Sequence, residues 1–235
     1  MSLSPDAPAT LLRFTRAERW AHRSIAVLVI VLIVSAAILY VPDLSAAIGN
    51  RQIIRPIHEI AGFLLPIPIV VALFSRAFRE DAGRLNRFLP ADWKWLRSSD
   101  RRSGRISVGK FNAGQKLNAA FTLGAIIVMF LTGTLMFFSS RFADALRTGA
   151  TFVHDWLALA MVIVVCGHVY MAFKDSTARL GMRTGSVPES WAEREHSAWA
   201  LDASSLVAAP GGSEPATSED PSEGSASGDS RDAVE

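Results

Sequence analysis

Cysteine is the scarcest residue in this chain, since Cys166 is the only one among 235 residues. A single thiol cannot form an intramolecular disulfide, and it cannot supply the cysteine-rich ligand sets of structural zinc sites or iron–sulfur clusters. The chain also lacks a glycine-rich nucleotide loop, a nucleophile paired with a base, and an internal repeat. These absences leave it without the groups needed to oxidise a soluble substrate by itself.

Charge is distributed unevenly along the chain. The formal net charge is +2, but residues 202–235 hold eight acidic residues and one arginine, a net of −7, so residues 1–201 carry +9. Serine, glycine, proline and acids dominate the last segment, a composition that buries too little apolar surface to fold. We therefore predict a disordered acidic tail at 202–235 and a flexible N-terminus at 1–12, flanking one domain at 13–201.

Apolar runs are the main feature of that domain. Half of all residues are hydrophobic and the mean hydropathy is +0.26, and about 20 apolar residues suffice to span a bilayer core. The first run, eighteen residues at 24–41, is longer than the apolar region of an ordinary signal peptide, so we interpret it as a span. The sequence predicts an all-α membrane protein, a bundle of four transmembrane helices at residues 18–40, 56–74, 117–138 and 148–173.

Prolines mark the second predicted span. Pro56 suits the first helical position, where its missing N–H costs nothing. Pro66 and Pro68 predict a kink near the middle of this helix.

The orientation in the membrane follows from the basic residues. The loop at 75–116 has eleven Lys and Arg against four Asp and Glu, and short basic loops stay on the cytoplasmic side. With an even number of spans, both termini are then cytoplasmic, in a multi-pass protein of the cell membrane. Trp93 and Trp95 in this loop suit interfacial anchors on a short helix lying flat. The predicted outer loops carry only four arginines, Arg51, Arg55, Arg141 and Arg147.

Histidines within the spans are the candidate functional residues. His154 and His168 of the fourth span are fourteen residues apart, close to four helical turns, so they share a face and lie about 21 Å apart along the axis. His22 lies at the inner end of the first span and His58 near the outer end of the second. Matching by depth pairs His58 with His154 near the outer face and His22 with His168 near the inner face.

Two bis-histidine b-type haems are the prediction from this pairing. The chain has no Cys-x-x-Cys-His motif, so the haems would be held non-covalently. Zinc is disfavoured because two nitrogens at each level do not complete a four-ligand site. Gly62, one turn after His58, would let a flat ring approach the backbone, although it also suits close helix packing.

Electron transfer is the function that such a pair of haems predicts, because two axial imidazoles leave no open position on the iron. A partner subunit would be the donor at the outer face, and a lipid-soluble quinone the acceptor near the inner face. The alternative is a haem-free transporter or scaffold bundle with histidines in a proton path. Outside the spans, His196 is interpreted as a surface residue, and Trp191 and Trp199 as residues of a membrane surface.

Three motifs carry a family resemblance: residues 13–22, residues 111–116 with the sequence Phe-Asn-Ala-Gly-Gln-Lys, and the histidine segments at 154–155 and 167–170. Across about residues 13–199 the chain resembles the gamma subunit of membrane-bound formate dehydrogenase, the cytochrome b anchor of that complex. The resemblance implies the same two haem sites, an iron–sulfur beta subunit as electron donor, and a molybdenum- or tungsten-containing alpha subunit that oxidises formate. It implies menaquinone as acceptor and contribution to a proton gradient in anaerobic respiration, with no nucleic-acid partner.

The same resemblance gives a quinone role to Asn112, Gly114 and Gln115, because the family's menaquinone lies near this segment, beside the inner haem. An amide and a glycine N–H can hydrogen-bond a quinone carbonyl. Alternatively, Asn112 caps the third helix and Gln115 completes a capping box. Lys116 is predicted to bind a haem propionate or to face lipid headgroups. A histidine pair fourteen residues apart also resembles the cytochrome b subunits of hydrogenases and sulfur-compound reductases, which stay as alternatives.

Overall fold

Helices dominate the computed structural model, which describes residues 9–99, 101 and 105–208. Within this part of the chain, four helical segments are long and apolar enough to cross a membrane, and the prediction of a mainly helical protein with four candidate spans is confirmed. In chain order the elements are β1 (Thr10–Leu12), α1 (Arg16–Tyr40), α2 (Pro42–Ile48), α3 (Arg51–Leu64), α4 (Ile67–Ala72), α5 (Arg76–Asn86), α6 (Pro90–Arg97), α7 (Ala113–Phe137), α8 (Asp144–Lys174), α9 (Ser176–Thr184), β2 (Ser186–Pro188), α10 (Glu189–Glu195) and α11 (Ser197–Ala208). The candidate spans are α1, α3 together with α4, α7, and α8.

Side-chain caps fix where two of the spans begin. At α1, the N–H of Thr15 donates to Glu18 Oε2 at 2.6 Å, and the N–H of Glu18 donates to Thr15 Oγ1 at 3.4 Å. At α7, the N–H of Gln115 donates to Asn112 Oδ1 at 2.9 Å and the N–H of Asn112 donates to Gln115 Oε1 at 3.0 Å. Each reciprocal pair satisfies two N–H groups that the helix leaves open. The capping box considered for Asn112 and Gln115 is therefore present, and α7 begins at Ala113 rather than at residue 117.

The second span begins earlier than its prolines indicated. It starts at Arg51, so Pro56 is the sixth residue of α3 and not the first. The span then breaks between Leu64 and Ile67, where Pro66 provides no N–H to continue the hydrogen-bond ladder. The predicted interruption near Pro66 and Pro68 is thus observed.

The spans pack mainly as two pairs. In one pair, α1 packs against α3 and α4, and in the other, α7 packs against α8. Val29, Leu65 and Ile126 form a buried apolar cluster that joins the two pairs. Other large apolar side chains point outward, such as Ile30 and Ile163, which are 58% and 65% exposed. Such a surface is suited to contact with lipid acyl chains, because exposing apolar side chains to hydrocarbon has no unfavourable free energy.

Both ends of the described chain meet at one end of the bundle. Strands β1 and β2 pair antiparallel, with Thr10 opposite Pro188 and Leu12 opposite Ser186. We call this the strand end, and the opposite end, which carries α2 and the Ser139–Arg141 turn, the turn end. An even number of spans requires the segments before α1 and after α8 to share a side.

The flanking segments are more ordered than predicted where the structure describes them. Thr10–Leu12 forms a strand although 1–12 was expected to be flexible, because Leu11 is buried against Val187 and Trp191. Helix α11 continues to Ala208, seven residues into the predicted tail. The rest of the tail, and residues 1–8, lie outside the described residues.

Candidate functional site

Helix α8 places its two histidines against histidines of two other spans. The ring centres of His22 (α1) and His168 are 6.1 Å apart, with 51° between the ring planes. Those of His58 (α3) and His154 are 6.4 Å apart, with 67° between the planes. We call these the strand-end pair and the turn-end pair. The structure thus brings the four histidines together in the two combinations that depth matching gave.

The separation within each pair fits two imidazoles bound to one metal. An imidazole nitrogen lies about 2.0 Å from its metal and roughly 1.1 Å from its own ring centre, so two rings on opposite sides have centres about 6.2 Å apart. The observed 6.1 and 6.4 Å agree with this distance. Direct imidazole–imidazole hydrogen bonding would bring the rings closer. The residues present therefore fit a bis-histidine haem at each level.

A multidentate metal site of another kind is not found in the part of the chain that the structure describes. No group of three or more His, Cys, Asp or Glu side chains there converges on one point. A four-ligand zinc site needs such a group.

Each histidine of the turn-end pair is hydrogen-bonded to a hydroxyl of a neighbouring helix. His58 Nδ1 lies 2.8 Å from Ser35 Oγ of α1. His154 Nδ1 lies 2.9 Å from Thr132 Oγ1 of α7. Sequence reasoning missed both hydroxyls, because Ser and Thr are common in membrane helices and no local pattern distinguishes these two.

Glycines bring the backbone close to the turn-end pair. A Cβ at Gly133 would lie 3.4 Å from His154 Cε1, so this position keeps the ring in contact with α7. A Cβ at Gly62 would lie 3.9 Å from the side chain of Leu32, an ordinary contact. The cofactor role of Gly62 stays a prediction.

Buried charges gather at the strand end. Lys110 Nζ lies 3.5 Å from Glu18 Oε1 and forms a second, closer ion pair with Asp81. All three side chains are less than a tenth exposed. Burial raises the pKa of Asp81 to about 6, helped by a hydrogen bond to Glu18 and opposed by Lys110 and Arg84. Asp81 can therefore exchange a proton near neutral pH, and its hydrogen-bond partner Glu18 lies one helical turn before His22 in α1.

His196 is buried, which corrects its interpretation as a surface residue. It is 2% exposed, its Nδ1–H donates to the Gly109 carbonyl at 2.7 Å, and its Nε2 accepts from Arg13 at 3.0 Å. Burial lowers the pKa of Arg13 to about 10. Trp191 packs on the His196 ring at 5.1 Å between ring centres and is 5% exposed, so it belongs to a protein core and not to a membrane surface.

The segment assigned to quinone binding lies at the N-terminus of α7. The side-chain oxygens of Asn112 and Gln115 accept the backbone hydrogen bonds of the capping box. The amide NH₂ groups of the two residues are therefore the donors that a ligand could use. A Cβ at Gly114 would lie 3.3 Å from Trp95 Cη2, so the glycine lets this indole lie against the segment. The quinone role of the three residues stays a prediction.

Lys116 is 6% exposed, which corrects the alternative that it faces lipid headgroups. Its Nζ lies 2.6 Å from Asp92 Oδ2 and donates to the Arg87 carbonyl at 2.9 Å. The residue therefore attaches α6 to α7. Binding of a haem propionate by its remaining N–H stays a prediction.

Four apolar spans that carry two cross-helix pairs of imidazoles are the features of a membrane cytochrome of the b type. The chain belongs to the prokaryotic cytochrome b561 family, whose model matches residues 13–185. Membership in this family implies b-type haem and argues against the haem-free bundle.

Relatives with assigned names support the resemblance seen in the sequence. The cytochrome b556(fdo) subunit of formate dehydrogenase from Escherichia coli strain K12 is 22% identical over 196 residues, covering 81% of this chain and 92% of the relative. The formate dehydrogenase cytochrome b556 subunit from Haemophilus influenzae is 24% identical over 197 residues, covering 80% and 82%. The nitrate-inducible b556(Fdn) subunit from E. coli K12 is 30% identical over 95 residues, covering 39% and 44%. The resemblance to formate dehydrogenase cytochrome b subunits is confirmed, and the names place these relatives in multi-subunit complexes.

Proposed function

We propose that this chain is the di-haem cytochrome b subunit of a membrane-bound formate dehydrogenase complex. It would accept electrons from an iron–sulfur subunit at the turn end and deliver them to menaquinone at the strand end. The formate-oxidising subunit, which contains molybdenum or tungsten, would be a further partner. This chain would anchor the complex and conduct electrons without oxidising formate itself.

The observation that carries the proposal is the pairing of histidines from three spans. Each pair has a ring separation that would allow both of its imidazoles to hold one haem iron. Bound haem supplies one-electron chemistry, and full axial ligation favours electron transfer over oxygen binding. The chain's own task is to hold the imidazoles at two levels, which helix α8 does by contributing one ligand to each.

Menaquinone reduction at the strand end is supported by polar groups at that end of the bundle. The amide groups of Asn112 and Gln115 can donate to a quinone carbonyl. Quinone reduction consumes two protons, and burial and the hydrogen bond to Glu18 raise the pKa of Asp81 to about 6, so this carboxyl group can exchange a proton near neutral pH. Asn112 and Gln115 lie within a few residues of Lys110, which contacts the carboxylates of Glu18 and Asp81.

The orientation proposed for the chain places the strand end in the cytoplasm. The loop between α4 and α7 is rich in arginine and lysine, and its helices α5 and α6 pack against α7. Arg19 and Arg23 donate to the Arg183 carbonyl at 2.7 and 3.0 Å, so positive charges from both flanks gather here. Positive residues of this kind mark the cytoplasmic side.

The decisive experiment removes one ligand at a time from the purified full-length chain. Alanine at His58 or His154 is expected to abolish one b-type haem, and alanine at His22 or His168 to abolish the other. Haem content per chain and reduced-minus-oxidised visible spectra measure this. His196→Gln is the matched control, since this fifth histidine is used by Arg13 and Gly109 and both haems should be retained.

Retention of the full haem content in all four alanine variants would contradict the ligand assignment. If the haems are present but the co-purifying subunits are not those of a formate dehydrogenase, the partner assignment fails and the electron-conducting role stands. Reconstitution with formate and a menaquinone analogue then measures whether electrons reach the quinone.

A further inference from the structure

A buried hydroxyl contacts each of the two histidines of the turn-end pair. Ser35 belongs to α1 and contacts His58 of α3, whereas Thr132 belongs to α7 and contacts His154 of α8. The two residues are 4% and 8% exposed. In both cases a helix that contributes no ligand to this pair fixes the ring of a neighbouring helix that does.

The direction of these hydrogen bonds follows from the carbonyls beside the hydroxyls. Ser35 Oγ lies 2.7 Å from the Val31 carbonyl oxygen, and Thr132 Oγ1 lies 2.9 Å from that of Val128. A carbonyl oxygen only accepts, and a hydroxyl has a single proton. Each hydroxyl therefore donates to its own helix and accepts from the histidine. The proton of each imidazole is thereby assigned to Nδ1, which leaves the Nε2 lone pair for a metal.

We propose that Ser35 and Thr132 are positioning residues that fix the tautomer and orientation of His58 and His154, so that both Nε2 atoms bind the turn-end haem. This inference rests on the proposed function. An imidazole that donates from its far nitrogen is a stronger metal ligand. A stronger pair of axial donors stabilises ferric over ferrous iron, so the two hydroxyls lower the reduction potential of this haem.

The strand-end pair is held differently. Among the described residues, no side-chain hydroxyl is hydrogen-bonded to His22 or His168. The lowering of potential is therefore specific to the turn-end haem, and removal of the hydroxyls changes one haem and leaves the other as it was.

The experiment replaces each hydroxyl in the full-length chain and titrates the haems against potential. Ser35→Ala and Thr132→Ala are each expected to raise the midpoint of one haem component, with a shift of the ferric-to-ferrous equilibrium of about tenfold, which is about 59 mV for one electron. Repeating the titration in a His168→Ala background, which keeps the turn-end haem, assigns the shift to that haem. If this background is unstable, the two-component titration of the otherwise unchanged chain provides the same measurement.

The controls separate hydrogen bonding to histidine from other roles of a hydroxyl. Thr134 lies two residues after Thr132, and its Oγ1 donates to the Phe130 carbonyl at 2.7 Å in the same way, but it has no histidine partner in the structure. Thr134→Ala should leave both midpoints unchanged. Ser35→Thr and Thr132→Ser keep the hydroxyl and should restore the parent midpoint.

Each outcome decides the inference. If Ser35→Ala loses the turn-end haem while Ser35→Thr retains it, the inference is supported, because loss of an outer-shell contact weakens metal binding about 10–100-fold. Unchanged midpoints and spectra in both alanine variants, with haem retained, would overturn it and leave the proposed function intact. A parent chain that binds no haem would overturn the proposed function itself.

Discussion

The strand end and the turn end of the bundle surround their histidine pairs with different chemistry. At the turn end the contacts are neutral, since Ser35 and Thr132 accept from imidazoles and Gly133 lies against one ring. At the strand end charged side chains are buried, as in the contact of Lys110 with Asp81 and Glu18. Neutral hydrogen bonds orient a histidine side chain without adding charge. Buried ion pairs instead create a polar region that suits proton exchange and the binding of a polar quinone headgroup.

The largest expected effect is the loss of a haem when a larger side chain is introduced beside the turn-end pair. Gly133→Val adds carbons beside His154, where a Cβ alone would already lie 3.4 Å from the ring, so the ring is displaced and one of the two haems is lost. Haem content per chain measures this. Gly149→Val is the control, because a Cβ at Gly149 meets nothing within 4 Å. Equal haem content in the two variants would show that the close approach at Gly133 is unimportant.

The second-largest expected effect is a loss of stability at the strand end. Lys110→Ala leaves two buried carboxyl groups without their shared cation, and breaking a buried ion pair costs about 3–5 kcal/mol. Thermal unfolding in detergent should show a lower midpoint, with the strand-end haem lost first. Lys94→Ala removes an exposed lysine of α6 and should have little effect. A similar loss of stability in both would contradict the role given to Lys110.

The pH dependence of stability sharpens the same comparison. The folded pKa of Asp81, about 6, is above its usual value, so its contribution is present below about pH 4 and is lost as the pH rises through 6. Asp81→Asn should flatten the dependence of the unfolding midpoint on pH between about 4 and 6, by up to about 3 kcal/mol. Glu193→Gln, which alters an exposed carboxylate of α10 outside this cluster, is the control and should keep the parent profile. An unchanged slope in Asp81→Asn would show that another group dominates.

A smaller effect is expected at the quinone segment. Gly114→Ala forces its Cβ to 3.3 Å from the Trp95 indole, and the resulting shift should weaken menaquinone binding about fivefold, or about 1 kcal/mol. The KM for a menaquinone analogue measures this, with both haem spectra unchanged. Gly83→Ala, whose Cβ would meet nothing within 4 Å, is the control. An unaltered KM in Gly114→Ala would remove the support for a quinone at this segment.

The smallest effect is expected for an exposed ion pair at the turn end. Arg55 and Glu59 are 2.7 Å apart at spacing i, i+4, but the arginine side chain is 67% exposed. Glu59→Ala should cost only about 0.3–0.5 kcal/mol. A thermal unfolding series at two salt concentrations checks this. A loss comparable to that of Lys110→Ala would reverse the contrast between the two ends.

The features that could be predicted from the sequence have a local or periodic signature. Apolar length defined the spans, and the spacing of His154 and His168 placed two rings on one face. Pro66 and Pro68 indicated the break in the second span, but Pro56 was misleading because α3 extends back to Arg51.

Partners distant in sequence were not predictable. Arg13 and His196 are 183 residues apart, and Lys110 and Asp81 are 29 apart. No periodicity connects such residues, so the burial of His196 was not predicted, and contact with lipid headgroups stayed one of two alternatives for Lys116. The hydroxyls of Ser35 and Thr132 were missed for the same reason, since each serves a histidine of another helix.

Helix α8 supplies one imidazole to each pair, and it is the last of the four spans. During synthesis and membrane insertion, neither pair can be complete until this final segment has entered the bilayer. Under the proposed function, cofactor loading therefore has to follow insertion of α8, and a product that lacks α8 has no complete histidine pair at either level. Quality control of the assembly can thus depend on this one helix.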